Sequence, residues 1–274
     1  MIDLPLLLEP NQLETFLDSN PSHPDLLILD CSNAAHYAQF HVPGAIHVPP
    51  QLLQAGTPPA PGKLPSTTAL NRLFSQVGLT ADKHVVVYDD EGGGWAGRLL
   101  WTLDVLGYSK YSYLNGGLHA WLNEGHRTET TANVGTPVVF EAQLHDAPRA
   151  TAEQIMARLG QPDFAVWDAR SPGEYTGQRS GAARAGHIPG AVNIDWIELM
   201  DRQRNLRFVD LGALQQRLDA LGLRRDKQIV THCQTHHRSG LTYLAMKVLG
   251  YPRAQAYDGS WGEWGNRDDT PIAS

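Results

Sequence analysis

Two cysteines in 274 residues are too few for a disulfide framework. Cys31 and Cys233 can form at most one bridge, so the chain reads as a soluble protein of a reducing compartment, with the cytosol as the expected location. No apolar run approaches the ~20 residues that span a bilayer. The opening MIDLPLLLEP has no basic segment ahead of its short apolar run, which argues against a secretory signal. Positive charge is also scarce: 22 Lys and Arg stand against 29 Asp and Glu, for a formal net charge of −7. A general nucleic-acid binder would need a basic face, so that class is set aside, although one small positive pocket is still allowed. Charged residues make up 19% of the chain and apolar ones 42%, a balance that builds ordinary buried cores and not disorder. At ~150 residues per domain, the length suggests two.

What the chain does have is an internal repeat. DCSNAAHYAQFHVPGAIHV starts at Asp30, and DARSPGEYTGQRSGAARAGHIPGAVNI starts at Asp168. Each passes through a tyrosine (Tyr37, Tyr175) to His-Val/Ile-Pro-Gly-Ala, at His41–Ala45 and His187–Ala191, and the second copy carries a longer insertion. Further on, residues 84–108 align without gaps onto residues 227–251. This offset of 143 also pairs Gly97 with Gly240, Gly116 with Gly259 and Trp121 with Trp264. Internal repeats of this kind mark duplicated structural units.

Each copy reads as α/β. Leu26–Leu29, Val85–Tyr88, Phe164–Trp167 and Gln228–Thr231 are short apolar runs suited to buried parallel strands. After the second strand of each copy comes a loop and then a helical pattern. In the second copy Leu241, Leu244, Ala245, Val248 and Leu249 recur at helical spacing, with Gly250 as the stop. Strand, loop, helix, repeated, predicts mainly parallel sheets with helices on both faces. The expected organisation is one domain over residues 1–130, a linker over 131–148 and a second domain over 149–274.

The stretch HCQTHHRSG, His232 to Gly240, falls between a strand and a helix N-terminus. Ligands of open parallel sheets sit there, outside the carboxyl ends of the strands. Loop N–H groups and the helix N-terminus favour an anion, so a thiolate at Cys233 would be stabilised. Arg238 works in the same direction, and His236 and His237 add charge or hydrogen bonds. In the first copy the position of Cys233 is Asp90, followed by Glu91-Gly92-Gly93-Gly94-Trp95. That loop has no thiol and no cation, so the first copy is expected to be catalytically silent. Three readings stay open for Cys233: a nucleophile, a metal ligand with His232, His236 and His237, or a small buried residue. The metal reading lacks a second ligand pair such as C-x2-C. A Cys-x5-Arg phosphatase loop is a further rival, but here the spacing is Cys-x4-Arg. Cys31, whose counterpart is Ala169, is expected to be passive.

The tandem arrangement, the repeated His-Val/Ile-Pro-Gly-Ala and the single cysteine loop resemble the two-domain rhodaneses, the thiosulfate sulfurtransferases. The resemblance covers essentially the whole chain. The loop Cys233-Gln234-Thr235-His236-His237-Arg238-Ser239 is similar to that of the Azotobacter-type bacterial rhodaneses, and YDGSW, Tyr257 to Trp261, also matches the family. The resemblance implies tandem rhodanese-like domains, of which the second is catalytic. It implies ping-pong transfer of sulfur from thiosulfate to cyanide or a thiol through a persulfide on Cys233. Mercaptopyruvate as donor, or delivery to a partner protein, are the alternatives. Residues 234–239 would bind substrate and persulfide, with Arg238 attracting the thiosulfate dianion and with Thr235 and Ser260 donating to the sulfur. No cofactor, metal, nucleic acid or membrane is implied. Two positions depart from the mitochondrial enzymes of the family. Thr235 replaces a lysine and Glu174 a substrate-binding arginine, each a loss of positive charge. Arg179 and Arg184, in the insertion, are candidates to replace part of it, with a solvated surface arginine as the default reading of each.

Overall fold

The four apolar runs become the central strands of two parallel sheets in the computed structural model, which describes residues 2–20 and 22–274. In the first sheet β1 (Leu7–Leu8), β2 (Leu26–Asp30), β3 (Ile46–His47), β4 (His84–Tyr88) and β5 (Tyr111–Leu114) lie in the order β1-β5-β4-β2-β3. In the second, β6 (Phe164–Asp168), β7 (Val192–Asn193), β8 (Gln228–His232) and β9 (Ala254–Ala256) lie in the order β9-β8-β6-β7. Every pairing between these strands is parallel. The two orders correspond strand for strand, except that β1 extends the first sheet by one. At the matching edge of the second, Arg149 makes an isolated bridge to Ala256.

Both faces of each sheet are covered, as continuous apolar strands require. Every residue of β2 and β4 is buried. Leu26 and Ile28 of β2, with Val86 and Tyr88 of β4, pack against Leu13 and Leu17 of the helix Pro10–Ser19 and against Trp121. Their neighbours Leu27, Leu29, Val85 and Val87 are buried on the other face. Each such side chain contributes about 1.5–3 kcal/mol relative to exposure. The second core gathers Val166, Val230, Ile155, Tyr257, Trp261 and Trp264.

The chain divides into two compact units that are not contiguous in sequence. The first holds residues up to Leu53, with 65–144 and 201–208; the second holds 54–64, 145–200 and 209–274. The sequence predicts a linker over 131–148. Much of it instead runs along the helix Thr67–Val77 of the first unit, where Val138 N–H donates to Ser75 O (3.0 Å), Phe140 N–H to Ser75 Oγ (3.0 Å) and Ala142 N–H to Asn71 Oδ1 (2.7 Å). Among the described residues no helix is long and apolar enough to cross a membrane.

The repeated His-x-Pro-Gly-Ala proves to be scaffold. In the first unit His41 stacks on Tyr37 (centroids 4.1 Å) and its Nδ1 lies 2.7 Å from Tyr37 O, while Tyr37 Oη donates to Ala45 O at 2.8 Å. In the second, His187 stacks on Tyr175 (3.7 Å), its Nδ1 lies 2.9 Å from Tyr175 O, and Tyr175 Oη donates to Ala191 O at 2.8 Å. The tyrosine and the histidine turn thus lock each other in both copies.

Candidate active site

Cys233 follows β8 directly, and the helix Arg238–Val248 opens five residues later. The loop between them is tightly curled. His236 has φ +53°, in the left-handed region that side chains seldom occupy. The curl is tied on three sides. Cys233 N–H donates to Ser260 Oγ (3.3 Å), Trp261 N–H donates to Cys233 O (2.9 Å), and Gly262 N–H donates to Gln234 O (2.9 Å). Ser260, at φ +53° itself, donates its own hydroxyl to Tyr257 O (2.9 Å). It therefore fixes the cysteine's backbone, where the sequence predicts a hydrogen bond to the sulfur.

A further tie comes from far away in the chain. The arm 54–64, part of the second unit, lies against the loop. Gln54 Nε2 donates to Thr235 O at 3.0 Å, and a Cβ at Gly62 would stand 2.2 Å from that oxygen. Only glycine permits so close an approach. No feature of the sequence marks Gln54 or Gly62 as site residues.

The Cys233 thiol is buried, which on its own would raise its pKa. The charge of Arg238, the Ser239 hydroxyl and N–H bonding to the sulfur, and His237 outweigh that and hold it below the ordinary thiol value. Ser239 lies in the first turn of the helix, whose N-terminal end favours negative charge. His236 Nδ1 lies 2.8 Å from Ser239 Oγ, so a hydroxyl that donates to sulfur is positioned to accept from the ring. Cys31 is in the opposite condition. Burial raises its pKa well above the ordinary value, and Asp89, Asp30, Glu91 and Asp90 raise it further.

The first unit shows what this kind of loop holds. Asp89, which aligns with His232, turns its carboxylate into the loop that follows β4. Its Oδ1 accepts from the N–H groups of Glu91 (3.1 Å), Gly92 (3.1 Å) and Gly93 (2.8 Å), and Oδ2 from Ala96 (3.0 Å). The corresponding residues of the second unit are Gln234, Thr235, His236 and Ser239. Burial and Glu91 push the Asp89 carboxyl up to about 6 against the pull of those N–H groups. In the second unit His232 does not enter the loop. Its Nε2 lies 3.6 Å from Asp168 Oδ2 and its Nδ1 3.2 Å from Cys233 O, and burial holds it below the ordinary imidazole value.

The charged residues named from the sequence lie as follows. Arg238 pairs with Glu174 in a bidentate bridge, Nη1 to Oε2 at 2.7 Å and Nη2 to Oε1 at 2.8 Å. Burial opposes ionisation of Glu174, but the bonds from Arg238 and Ser171 bring it down to about 2. Asp168 is one half of a buried ion pair: Arg170 Nη2 donates to its Oδ2 at 2.6 Å, and the guanidinium lies 4.2 Å over the Trp261 ring. The charge expected from Arg184 is committed elsewhere. Its guanidinium donates to the carbonyls of Trp264 (3.0 Å), Thr270 (3.0 Å) and Arg267, and so ties down the C-terminal segment. Arg179 is exposed, with its guanidinium beside Gly173. His237 packs near Trp196 (5.5 Å), and Gln234 Nε2 reaches Gly181 O (3.2 Å). The four candidate metal ligands thus diverge, and among the described residues no three His, Cys, Asp or Glu side chains converge as a metal site would need.

The family model for the rhodanese-like domain matches residues 9–124 and again 151–267. The chain belongs to the rhodanese family. It is 53% identical over 272 residues to a thiosulfate sulfurtransferase of Azotobacter vinelandii, covering 98% of this chain and 97% of that one. A thiosulfate sulfurtransferase of Pseudomonas aeruginosa is 50% identical over 273 residues, again covering 98% and 97%. A sulfur carrier protein, TtuD, of Thermus thermophilus is 33% identical over 215 residues, covering 74% of this rhodanese and 75% of the relative.

Proposed function

We propose that this rhodanese is a thiosulfate sulfurtransferase that carries the transferred sulfur as a persulfide on Cys233. The Cys233 thiolate attacks the outer sulfur of thiosulfate. The Sγ–S bond forms, the donor's S–S bond breaks, and sulfite leaves with the bonding pair. Cyanide or a thiol then attacks the outer persulfide sulfur, and the cysteine departs as thiolate. Two half-reactions through one covalent intermediate make the kinetics ping-pong.

One observation carries this reading: the Cys233 sulfur receives both the hydroxyl and the N–H of Ser239 at a helix N-terminus, beside a guanidinium. The first unit adds support. Four loop N–H groups there hold an anion, the Asp89 carboxylate, and in the second unit the aligned loop follows a cysteine instead. In this reading the amides of Gln234, Thr235 and His236 receive the outer persulfide sulfur, and the unit that carries Asp89 is catalytically silent. A phosphatase would need its loop arginine on the phosphate, but Arg238 is committed to Glu174.

The deciding experiment is intact mass after thiosulfate and again after cyanide. Gain of one sulfur atom on Cys233, lost to cyanide, is the expected result. A protein that starts as free thiol and gains none would overturn thiosulfate as donor, and mercaptopyruvate would be tested next. Delivery to a protein acceptor in the cytoplasm is a second reading. It is favoured by the relative named as a sulfur carrier, and by the half-buried Trp196 and exposed Ile197 beside His237. Loss of the persulfide to a cognate acceptor protein faster than to a small thiol is its test.

A further inference from the structure

Three arginines are brought to this end of the second sheet, and each is bound to a partner of its own. Arg170 holds Asp168 and the Gly186 carbonyl (2.9 Å). Arg184 holds the carbonyls of the C-terminal segment. Arg238 holds Glu174 through both carboxylate oxygens, and Glu174 is anchored in turn by the Ser171 N–H (3.1 Å) and Oγ (2.7 Å). Both members of the Arg238–Glu174 pair are about four-fifths buried, at 20% and 19% side-chain exposure, so water screens the pair weakly. A second carboxyl, on the buried Asp195, also interacts with Arg238. Arg179 is exposed, where solvent screens its charge. Cys233 still feels the guanidinium of Arg238, but an incoming anion meets a cation already matched by a carboxylate.

That arrangement suits a singly charged donor better than a dianion. We propose that Glu174 is a specificity-determining residue: by neutralising Arg238 it favours sulfane-sulfur donors with one negative charge, organic thiosulfonates and persulfides, over the thiosulfate dianion. This rests on Cys233 as the sulfur carrier. The chemical step is the same for all of them. The Cys233 thiolate forms a bond to the outer sulfur, the donor's S–S bond breaks, and the bonding pair leaves on sulfite, a sulfinate or a thiolate. Only the charge of the donor changes.

Methanethiosulfonate isolates that variable, since a methyl group takes the place of one charged oxygen of thiosulfate. The test compares kcat/KM for the two donors in the wild type and in Glu174→Gln. Removing one buried charge from a guanidinium should raise the thiosulfate value roughly tenfold, mainly through KM, and the methanethiosulfonate value by less than about threefold. The gain should shrink at high salt. Glu174→Asp keeps the charge and should keep the wild-type ratio of the two donors. Glu174→Ser carries the same expectation as Glu174→Gln if the latter does not fold. A ratio unmoved by loss of the carboxylate, whether both donors slow together or neither changes, would mean that Glu174 only braces the loop, and the proposal falls. Mass spectrometry separates this from failure of the premise: if neither donor places sulfur on Cys233 in the wild type, it is the sulfur-carrier reading that fails.

Discussion

Replacing Gly62 by alanine should damage sulfur loading more than it damages the fold. The added Cβ would stand 2.2 Å from Thr235 O, 2.5 Å from its carbonyl carbon and 2.7 Å from its Cα. Comfortable contacts begin near ~3.5 Å, so arm and loop must part by about 1 Å. The loop has little room on the side of the Ser260–Trp264 helix, where a Cβ at Gly262 would already be 3.1 Å from Gln234 O. Parting would also stretch the bond from Gln54 to Thr235 O. Overpacking of this kind costs about 1–3 kcal/mol, a fall of roughly 3–10 °C in Tm for a chain of this size. The kinetic effect should be larger, because a reacting group misplaced by about 1 Å can lose ~100-fold in rate. The assay is single-turnover persulfide formation from thiosulfate, followed by mass, alongside thermal denaturation. Gly44→Ala supplies the control. Gly44 has φ +78° and nothing within 4 Å of its Cβ position, so alanine there costs about 1 kcal/mol of backbone strain and touches no part of the loop. It should lower Tm and leave loading intact. Wild-type loading by Gly62→Ala, or equal slowing by both variants, would refute the idea that the arm sets the loop.

Other substitutions probe the two thiols and the two cradles. Cys233→Ser should abolish sulfur uptake, and Cys31→Ser should keep most of it, as intact mass after thiosulfate will show. Arg238→Met removes the charge that most favours the Cys233 thiolate, so the thiol pKa should rise; loading should fall at neutral pH and recover as pH climbs, whereas an equal loss at every pH would contradict the electrostatic role. Glu174, held at about 2 in the fold, contributes stability that is present above its ordinary value of 4.5 and lost as pH falls from there toward 2; denaturation of Glu174→Gln across that window should show a flatter decline. Asp89, raised from 3.8 to about 6, works the other way: the folded form binds the proton more tightly, so its contribution declines as pH rises from about 4 to 6. Asp89→Asn should remove that slope and, by turning one acceptor into a donor that faces N–H groups, cost about 1–3 kcal/mol with loading of Cys233 preserved.

The architecture was legible because burial leaves a mark on sequence. Continuous apolar runs such as Val85–Tyr88 and Gln228–Thr231 became the middle strands of two-sided sheets, and the helical stripe from Leu241 became the helix that carries Ser239. The histidine turns stand in both copies, one of which has no thiol in its loop, and that recurrence alone marks them as scaffold; the stacking of His41 on Tyr37 and of His187 on Tyr175 gives the reason. The contacts that close around Cys233 were not legible. Gly62 meets Thr235 across more than half the chain, from a Pro- and Gly-rich arm with no periodicity to announce it. Glu174 read as one positive charge fewer, because a sequence shows a residue type and not its partner 64 positions away. Arg184 read as a surface arginine or as charge for the site for the same reason, and three carbonyls take it up.

The comparison of the two loops turns on one aligned position. Residue 89 directly follows its strand, residue 232 ends the equivalent one, and both precede loops that align residue for residue. With aspartate there, the carboxylate folds into its own loop and takes up four N–H groups. Any external anion would have to displace a covalently tethered one and enter beside Asp90 and Glu91. With histidine there, the ring is buried, held neutral and turned toward Asp168 and the cysteine carbonyl, so the loop is left to the sulfur of the next residue. Asp168 is in turn held by Arg170, for which the first copy has only Ser32. The difference between the copies therefore does not reduce to cysteine against Asp90. A thiol installed at position 90 alone would face the Asp89 carboxylate in the place where its own negative charge must be held, and its pKa would be driven up as that of Cys31 is. Converting the first loop requires Asp89→His together with Asp90→Cys, and a guanidinium near the first turn of the helix that follows.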